Sequence, residues 1–129
     1  MASQTLQGCR ILIVEDEFLL ADDLAHVLDD AGATVLGPVP SVRDALELIA
    51  GEKAIDFAVL EVNLHGDMVF PVADALVARS VPFVFATGYD EWSLPERFFT
   101  VPRLEKPFRP ERLSSKLEPL ISCGAQQHH

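Results

Sequence analysis

Short apolar runs alternate with amphipathic segments along nearly the whole chain. The runs cover residues 10–14, 33–39, 55–62, 81–86 and 103–105. The segments between them carry apolar residues at the three- and four-residue spacing of a helix with one buried face. A strand–helix unit repeated about five times, with short connections, predicts a parallel sheet covered by helices on both faces. We therefore predict an α/β fold with a doubly wound, five-stranded parallel sheet.

Helices are predicted over residues 17–31, 42–50, 71–80 and 111–121. Gly32 and Gly51 follow the first two and suit helix ends, Ser41 can cap the second, and Pro71 suits the first turn of the third. The segment 88–102 contains a glycine and two prolines and has no clear helical stripe. We expect the helix in this segment, the fourth of the fold, to be short or irregular.

The length of 129 residues and the apolar fraction of 49% fit one globular domain with its own core. We assign residues 9–121 to this domain. Residues 1–8 are predicted to be a polar, disordered lead-in, and residues 122–129 a tail whose closing histidines resemble a partial purification tag. Cys9 and Cys123 lie near opposite termini and are interpreted as free thiols, because two cysteines so placed make no disulfide scaffold.

The chain is acidic, with a formal net charge of −10, and its lysines and arginines are interpreted as dispersed, without a basic stripe. We therefore predict no nucleic-acid partner, whereas basic proteins or cations are favoured. No apolar run approaches the roughly 18–20 residues that span a bilayer. The N-terminus also lacks the charged and apolar regions of a secretion signal. A cytoplasmic protein without membrane contact is expected.

Polar residues stand where four of the predicted strands end. Glu61 closes the third strand, Glu15 and Asp16 follow the first, Thr87 closes the fourth region and Lys106 follows the fifth. The carboxyl ends of the strands in an open α/β sheet form the edge that binds ligands. Converging carboxylates suit a hard cation such as Mg²⁺, while an ammonium and a hydroxyl suit a phosphoryl group. The set predicts a site for phosphoryl chemistry.

Each of these residues also has a simpler structural explanation. Glu15 and Asp16 could cap the helix that follows them, since acids favour helix N-termini. Lys106 could be an ordinary surface lysine, and Thr87 with the next glycine is a common strand exit. Glu61 is harder to explain, because an acid at the end of a buried strand needs a partner or a pocket. The joint occurrence on successive strand–helix units favours the functional interpretation.

At these residues the chain resembles the receiver domain of bacterial two-component response regulators. The resemblance covers about residues 9–121. It rests on the acidic run Ile-Leu-Ile-Val-Glu-Asp-Glu at 11–17, Leu-Glu-Val-Asn-Leu-His-Gly at 60–66, Thr-Gly at 87–88 and Lys-Pro-Phe at 106–108. The resemblance implies the flavodoxin-like fold, with the strand order 2-1-3-4-5.

In this family a kinase histidine passes a phosphoryl group to an aspartate at the end of the third strand. The resemblance puts Glu61 at that acceptor position, with Thr87 as the switch hydroxyl and Lys106 as the phosphate contact. It also implies a set of Mg²⁺ ligands: Glu15, Asp16, Glu61 and the backbone carbonyl of Asn63.

The chain departs from the family at the acceptor, where it has glutamate in place of aspartate. The added methylene moves the carboxylate by roughly 1–1.5 Å, and a 1 Å misplacement can cost on the order of 100-fold in rate. The longer side chain could also bring its charge towards Thr87 or Lys106 and partly imitate a phosphoryl group. Weak Mg²⁺ binding is expected. Arg103 stands where the family often has an aromatic switch residue, and Tyr89 or Trp92 is a candidate substitute.

We therefore predict a stand-alone receiver whose phosphorylation is impaired, or whose phosphoryl charge is partly mimicked, by Glu61. Its output would be the binding of a histidine kinase, another signalling protein or a second copy, so no enzymatic activity is expected. One alternative is an ordinary aspartate phospho-switch into which Glu61 has been introduced by engineering. Another is a small Mg²⁺-dependent enzyme that handles phosphoryl groups.

Overall fold

The computed structural model describes residues 6–88, 94–107, 109 and 112–121. Its central sheet contains five strands, β1 (Arg10–Val14), β2 (Thr34–Val39), β3 (Phe57–Glu61), β4 (Phe83–Thr87) and β5 (Arg103–Glu105). All neighbouring strands of this sheet pair in parallel, in the order 2-1-3-4-5. The flavodoxin-like fold predicted from the sequence is therefore confirmed.

In the described ranges, four α-helices connect or follow the strands: α1 (Phe18–Asp30), α2 (Val42–Gly51), α3 (Phe70–Ala78) and α4 (Leu113–Leu117). The last predicted helix is shorter than expected, because a 3₁₀ turn, Glu118–Leu120, replaces its end where Pro119 cannot donate a backbone hydrogen bond. No described helix combines the length and the apolar character needed to cross a membrane.

The described part of the connection between β4 and β5 is irregular, as predicted. Among its described residues, 94–102, the regular element is a single 3₁₀ turn at Glu96–Phe98. Tyr89 and Trp92, the candidate substitutes for a switch aromatic, lie outside the described residues. The connection that follows β3 contains a small antiparallel hairpin, in which Asn63–Leu64 pairs with Asp67–Met68.

The central strands β1, β3 and β4 are buried on both faces, which explains why they are almost continuously apolar. Leu12 and Val14 of β1 point into a core shared with α2 and α3. Ile11 and Ile13 point to the opposite core, which is shared with α1 and α4. Because successive strand residues face opposite sides, one apolar run supplies both cores.

Two sequence predictions about the N-terminal region are wrong. Residues 6–8 are not a disordered lead-in, since Leu6 is only 1% exposed and its backbone N–H donates to the carbonyl of Ala31 at 2.9 Å. Cys9 is not a free thiol, because it is buried and disulfide-bonded. Separation along the chain does not predict separation in space here, because the start of β1 packs in the same core as Ile121, near the end of the domain. Residues 1–5, Cys123 and the rest of the tail lie outside the described residues.

Candidate functional site

The four polar strand-end residues meet at one edge of the sheet. Glu61 and Thr87 are the last residues of β3 and β4, while Glu15 and Lys106 directly follow β1 and β5. The parallel register aligns these ends, since Glu61 pairs with Ala86 and Thr87 pairs with Glu105. Glu15, Glu61 and Thr87 are all buried. They are the only buried polar or charged residues in the described part of the chain, which marks this edge as chemically distinct.

Lys106 joins the two buried glutamates. Its Nζ donates a hydrogen bond to Oε1 of Glu61. It also donates to Oε2 of Glu15 at 3.3 Å and lies 3.2 Å from Oε1 of the same carboxylate. The lysine thus serves as the counter-ion for two carboxylates that would otherwise repel each other in a region shielded from water.

Backbone N–H groups hold both glutamates in place. The N–H of Asn63 donates to Oε2 of Glu61 at 3.0 Å, and the N–H of Glu17 donates to Oε2 of Glu15 at 3.1 Å. Hydrogen bonds to ionised acceptors are stronger than those between neutral groups. Glu61 is therefore clamped between a backbone donor on one oxygen and the lysine on the other.

The protonation of the site follows from this arrangement. Burial raises the pKa of Glu15 from 4.5 to about 7, with a smaller contribution from the charge of Glu61, while Lys106 and the N–H of Glu17 act in the opposite direction. Burial opposes the charge of Lys106, yet its pKa is raised because the hydrogen bond to Glu61 and the charge of Glu15 outweigh burial. Lys106 therefore stays cationic, whereas Glu15 exchanges its proton near neutral pH.

Asp16 lies at the outer side of the site and contacts the hairpin that follows β3. Its Oδ2 is 2.7 Å from Nδ1 of His65, and its side chain is largely buried while the histidine is exposed. His65 has a left-handed backbone, φ 53°, in the hairpin turn. The side chain of Asn63 supports this turn by accepting from the N–H of Gly66 at 2.7 Å. The sequence pattern around His65 indicates only that a turn begins there, so the contact with Asp16 is visible only in the structure.

Three carboxylates are close enough to share a cation. One oxygen each from Glu15, Asp16 and Glu61 lies within 4.8 Å of the others. Oε1 of Glu15 is buried and accepts no hydrogen bond within the described part of the structure, so it keeps unused acceptor capacity. Hard oxygen ligands of this kind fit Mg²⁺. The contribution of the Asn63 carbonyl stays a prediction.

Thr87 is buried beside these groups but does not join their network. Its Oγ1 donates to the carbonyl of Gly88 at 3.3 Å. Within the described structure this hydroxyl makes no hydrogen bond to the side chain of Glu61 or Lys106, although the backbone N–H of Lys106 donates to the carbonyl of Thr87 at 2.8 Å. The sequence predicted that the longer side chain of Glu61 could approach Thr87 or Lys106. In the structure it contacts Lys106.

A second feature contradicts the interpretation that the basic residues are dispersed. A groove of about 990 Å³ runs beside β5 and α4, and we call it the basic groove. Its basic lining residues are Arg103, Lys106, Arg109, Arg112 and Lys116. These are five of the ten lysines and arginines in the chain. In the sequence these residues recur at every third or fourth position. That spacing is the signal by which the basic groove could have been predicted.

Comparisons with known proteins agree with this fold. No protein-family model matches the chain. Among curated proteins, it is 34% identical over 115 residues to the sensory transduction protein LytT of Bacillus anthracis. The match covers 84% of this chain and 46% of LytT, so the chain spans about half the length of that relative.

Solved structures give a longer match. SdrG from Sphingomonas melonis Fr1 is 43% identical, with a TM-score of 0.75, and the match covers 87% of this chain and 95% of SdrG. A response regulator receiver protein from Sinorhizobium medicae is 27% identical, with a TM-score of 0.70, and covers 88% and 97% of the two chains. A doubly wound sheet with acids and a lysine at its carboxyl edge defines a receiver-type signalling domain. The chain belongs to the response regulator receiver domains of two-component systems.

Proposed function

We propose that this receiver acts in phosphorelay signalling in a form that Glu61 keeps from normal phosphorylation, and that its output is the binding of another protein. The observation that carries this proposal is the bond from Lys106 to Glu61. The residue at the acceptor position already occupies the ammonium group that, in the family resemblance, contacts the phosphoryl group. Glu61 therefore already makes, with Lys106, one of the contacts that the family resemblance assigns to a phosphoryl group.

The geometry of Glu61 argues against efficient phosphoryl transfer. An aspartate at this position would end one bond earlier, roughly 1–1.5 Å back along the side chain. Transfer needs an oxygen of the acceptor carboxylate aligned with the breaking bond of the donor, and a misplacement of about 1 Å can cost 100-fold. In Glu61 both oxygens are also engaged, one by Lys106 and one by the N–H of Asn63.

The imitation of a phosphoryl group is partial. A carboxylate carries one negative charge and two oxygens, whereas a phosphoryl group carries nearly two charges and three acceptor oxygens. Glu61 satisfies Lys106, but the hydroxyl of Thr87 bonds to Gly88 instead. We infer that the lysine contact of the phosphorylated state is reproduced and that the hydroxyl contact is not.

We propose that Mg²⁺ binds weakly at this site. The candidate ligands are Glu15, Asp16, Glu61 and the carbonyl of Asn63. Binding would be weak because Lys106 already neutralises part of the carboxylate charge. A bound Mg²⁺ would screen the negative charge of phosphoryl oxygens near the acceptor.

The proposed partner is a histidine kinase or another signalling protein. Phe18 and Leu19 at the start of α1 are 79% and 74% exposed, next to the site residue Asp16. Exposed large apolar side chains beside a functional site are typical of protein contacts. Pairing with a second copy is the other protein-based output that we propose.

The test is the intact mass of the protein after incubation with Mg²⁺ and acetyl phosphate. We expect no added phosphoryl group on the unaltered chain and one on the Glu61→Asp variant, because the shorter acid restores the acceptor geometry. SdrG has been solved in a BeF₃-activated conformation. BeF₃⁻ should therefore shift amide resonances around the site in Glu61→Asp and not in the unaltered chain.

The other outcomes separate the alternatives. A phosphoryl group on the unaltered chain would show that Glu61 or another residue accepts phosphate, and the proposal would fail. If neither protein reacts, the domain is a binding module only. Steady release of phosphate from a generic phosphate ester would instead favour the enzyme alternative.

A further inference from the structure

The basic groove is the strongest local departure from the overall charge of the molecule. The chain has a net charge of −10, yet the described residues that line the groove include five basic side chains and a single acid, Glu105. Arg103, Arg109, Arg112 and Lys116 are exposed. At physiological ionic strength charges act over about 8 Å, so a ligand in the groove senses this local cluster more than the distant acids.

Among the described residues, the arginine side chains of the groove differ from those elsewhere in making no hydrogen bond or ion pair. Arg10 pairs with Glu52, Arg43 with Glu47 and Arg97 with Asp74, and Arg79 donates to three backbone carbonyls. Arg103, Arg109 and Arg112, by contrast, make no side-chain hydrogen bond or ion pair within the part of the chain that the structure describes. A set of unpaired guanidinium groups on one face is suited to carboxylates, which they can bind through two parallel hydrogen bonds.

From this arrangement we propose that the basic groove binds an acidic, extended segment of a partner protein. Strand β5 lies at the end of the sheet, and no strand in the described residues pairs with its outer side. An extended peptide can add to such an edge through backbone hydrogen bonds, while its side chains supply specificity. Acidic side chains on the added segment would meet the basic residues that flank β5.

The groove is less suited to other anionic ligands. A small molecule is normally enclosed by a mostly apolar pocket with a few polar groups, whereas this groove is lined by exposed charged side chains. A long nucleic acid would extend past the groove and approach the acids that dominate the rest of the surface. A short acidic segment ends before it meets them.

One residue belongs to both the groove and the candidate site. Lys106 lines the groove, but its ammonium already pairs with Glu61 and Glu15. The attraction for an acidic segment therefore rests on Arg103, Arg109, Arg112 and Lys116. The proposal does not depend on whether Glu61 accepts phosphate, and its test leaves Lys106 unchanged.

The test is the fluorescence anisotropy of a labelled short peptide that alternates glutamate with threonine, with a glutamine-for-glutamate peptide beside it. The double variant Arg109→Glu/Arg112→Glu should weaken binding of the acidic peptide by about tenfold or more, since like charges replace attractive ones. Arg109→Lys/Arg112→Lys keeps the positive charge but loses the paired hydrogen bonds, so it should weaken binding less than the glutamate variant does. The matched control is Arg43→Glu/Lys53→Glu, which changes the net charge equally on an exposed surface elsewhere. Circular dichroism checks that all the variants are folded.

Loss of binding in the glutamate variant alone would support the proposal, and amide shifts in β5 and α4 would locate the peptide. Equal loss in the matched control would overturn it, because the attraction would then be unspecific. Tighter binding of a single-stranded oligonucleotide of equal charge at the same salt would assign the groove to nucleic acid. Self-association that the glutamate variant abolishes in sedimentation would assign it to a second copy. Either result would also overturn the proposal.

Discussion

A single methylene at residue 61 separates this site from the aspartate acceptor of the family resemblance. Because Glu61 reaches Lys106, the ammonium group of this lysine bridges the carboxylates of Glu61 and Glu15. Burial makes this arrangement sensitive to proton binding, and the most responsive member is Glu15, whose pKa is raised to about 7.

We predict that without divalent cations the free energy of unfolding falls as the pH rises from about 4.5 to about 7, through this residue. In this window the folded state holds a proton on Glu15 that the unfolded state has released, so raising the pH favours unfolding. Urea denaturation in a chelator at several pH values measures the effect.

The matched variant for this experiment is Glu15→Gln, which keeps the size of the side chain and removes the titration. The difference in unfolding free energy between the two proteins should change across the window and level off above it. Taking the difference also cancels His26, whose pKa is raised by contacts with Asp22 and which loses stabilisation in the same direction as the pH rises. A difference that does not vary with pH would disprove the assigned role of burial.

At the scale of the elements, an aromatic cluster fixes the irregular connection between β4 and β5. Phe98 of the 3₁₀ turn stacks on Phe70 of α3 with ring centres 5.7 Å apart, and it meets Phe85 of β4 edge-on at 5.6 Å. Arg97 adds a contact, since its guanidinium lies 4.6 Å from the Phe98 ring centre and its nitrogens pair with Asp74. A segment with little regular structure is thus held by side chains.

We predict that Phe98→Ala lowers the free energy of unfolding by about 3–5 kcal/mol, because it leaves a cavity between α3 and β4. The neighbouring Phe99 provides the control, since it is 58% exposed whereas Phe98 is 2% exposed. Phe99→Ala should change stability by no more than about 0.5 kcal/mol. Urea unfolding of both variants measures the contrast, and equal losses would show that the cluster does not anchor the turn.

At the scale of the whole molecule, the charges are unevenly distributed. The carboxylates that could share a cation lie at the carboxyl edge of the sheet, while half of the basic residues line the groove beside β5. A ligand that binds only the folded state stabilises the whole domain, by about 1.4 kcal/mol when its concentration is ten times its Kd.

We predict that Mg²⁺ raises the melting temperature of the unaltered protein and does so less in Asp16→Asn, which lacks one candidate ligand charge. Asp29→Asn is the control, because it removes the same charge from an exposed position at the end of α1. Differential scanning calorimetry with increasing Mg²⁺ provides the measurement. If the two variants respond to Mg²⁺ alike, the ion acts through general screening and Asp16 is not a ligand.

The sequence by itself determined the parallel sheet and the edge that carries the polar residues, while the strand order followed from the family resemblance. Apolar runs and amphipathic segments can be recognised locally in the sequence. A parallel sheet then brings the carboxyl ends of its strands to one edge, independently of the loop conformations. The convergence of Glu15, Glu61 and Lys106 could therefore be anticipated from strand ends alone.

Only the tertiary structure decided how those residues pair. The choice of Lys106 over Thr87 by Glu61, the contact of His65 with Asp16, the burial of Leu6 and the gathering of arginines into one groove all depend on distances between residues that lie on different elements. Periodicity records which side of its own element a residue occupies. It does not indicate which residue of a neighbouring element lies opposite, and such contacts determine the chemistry of this site.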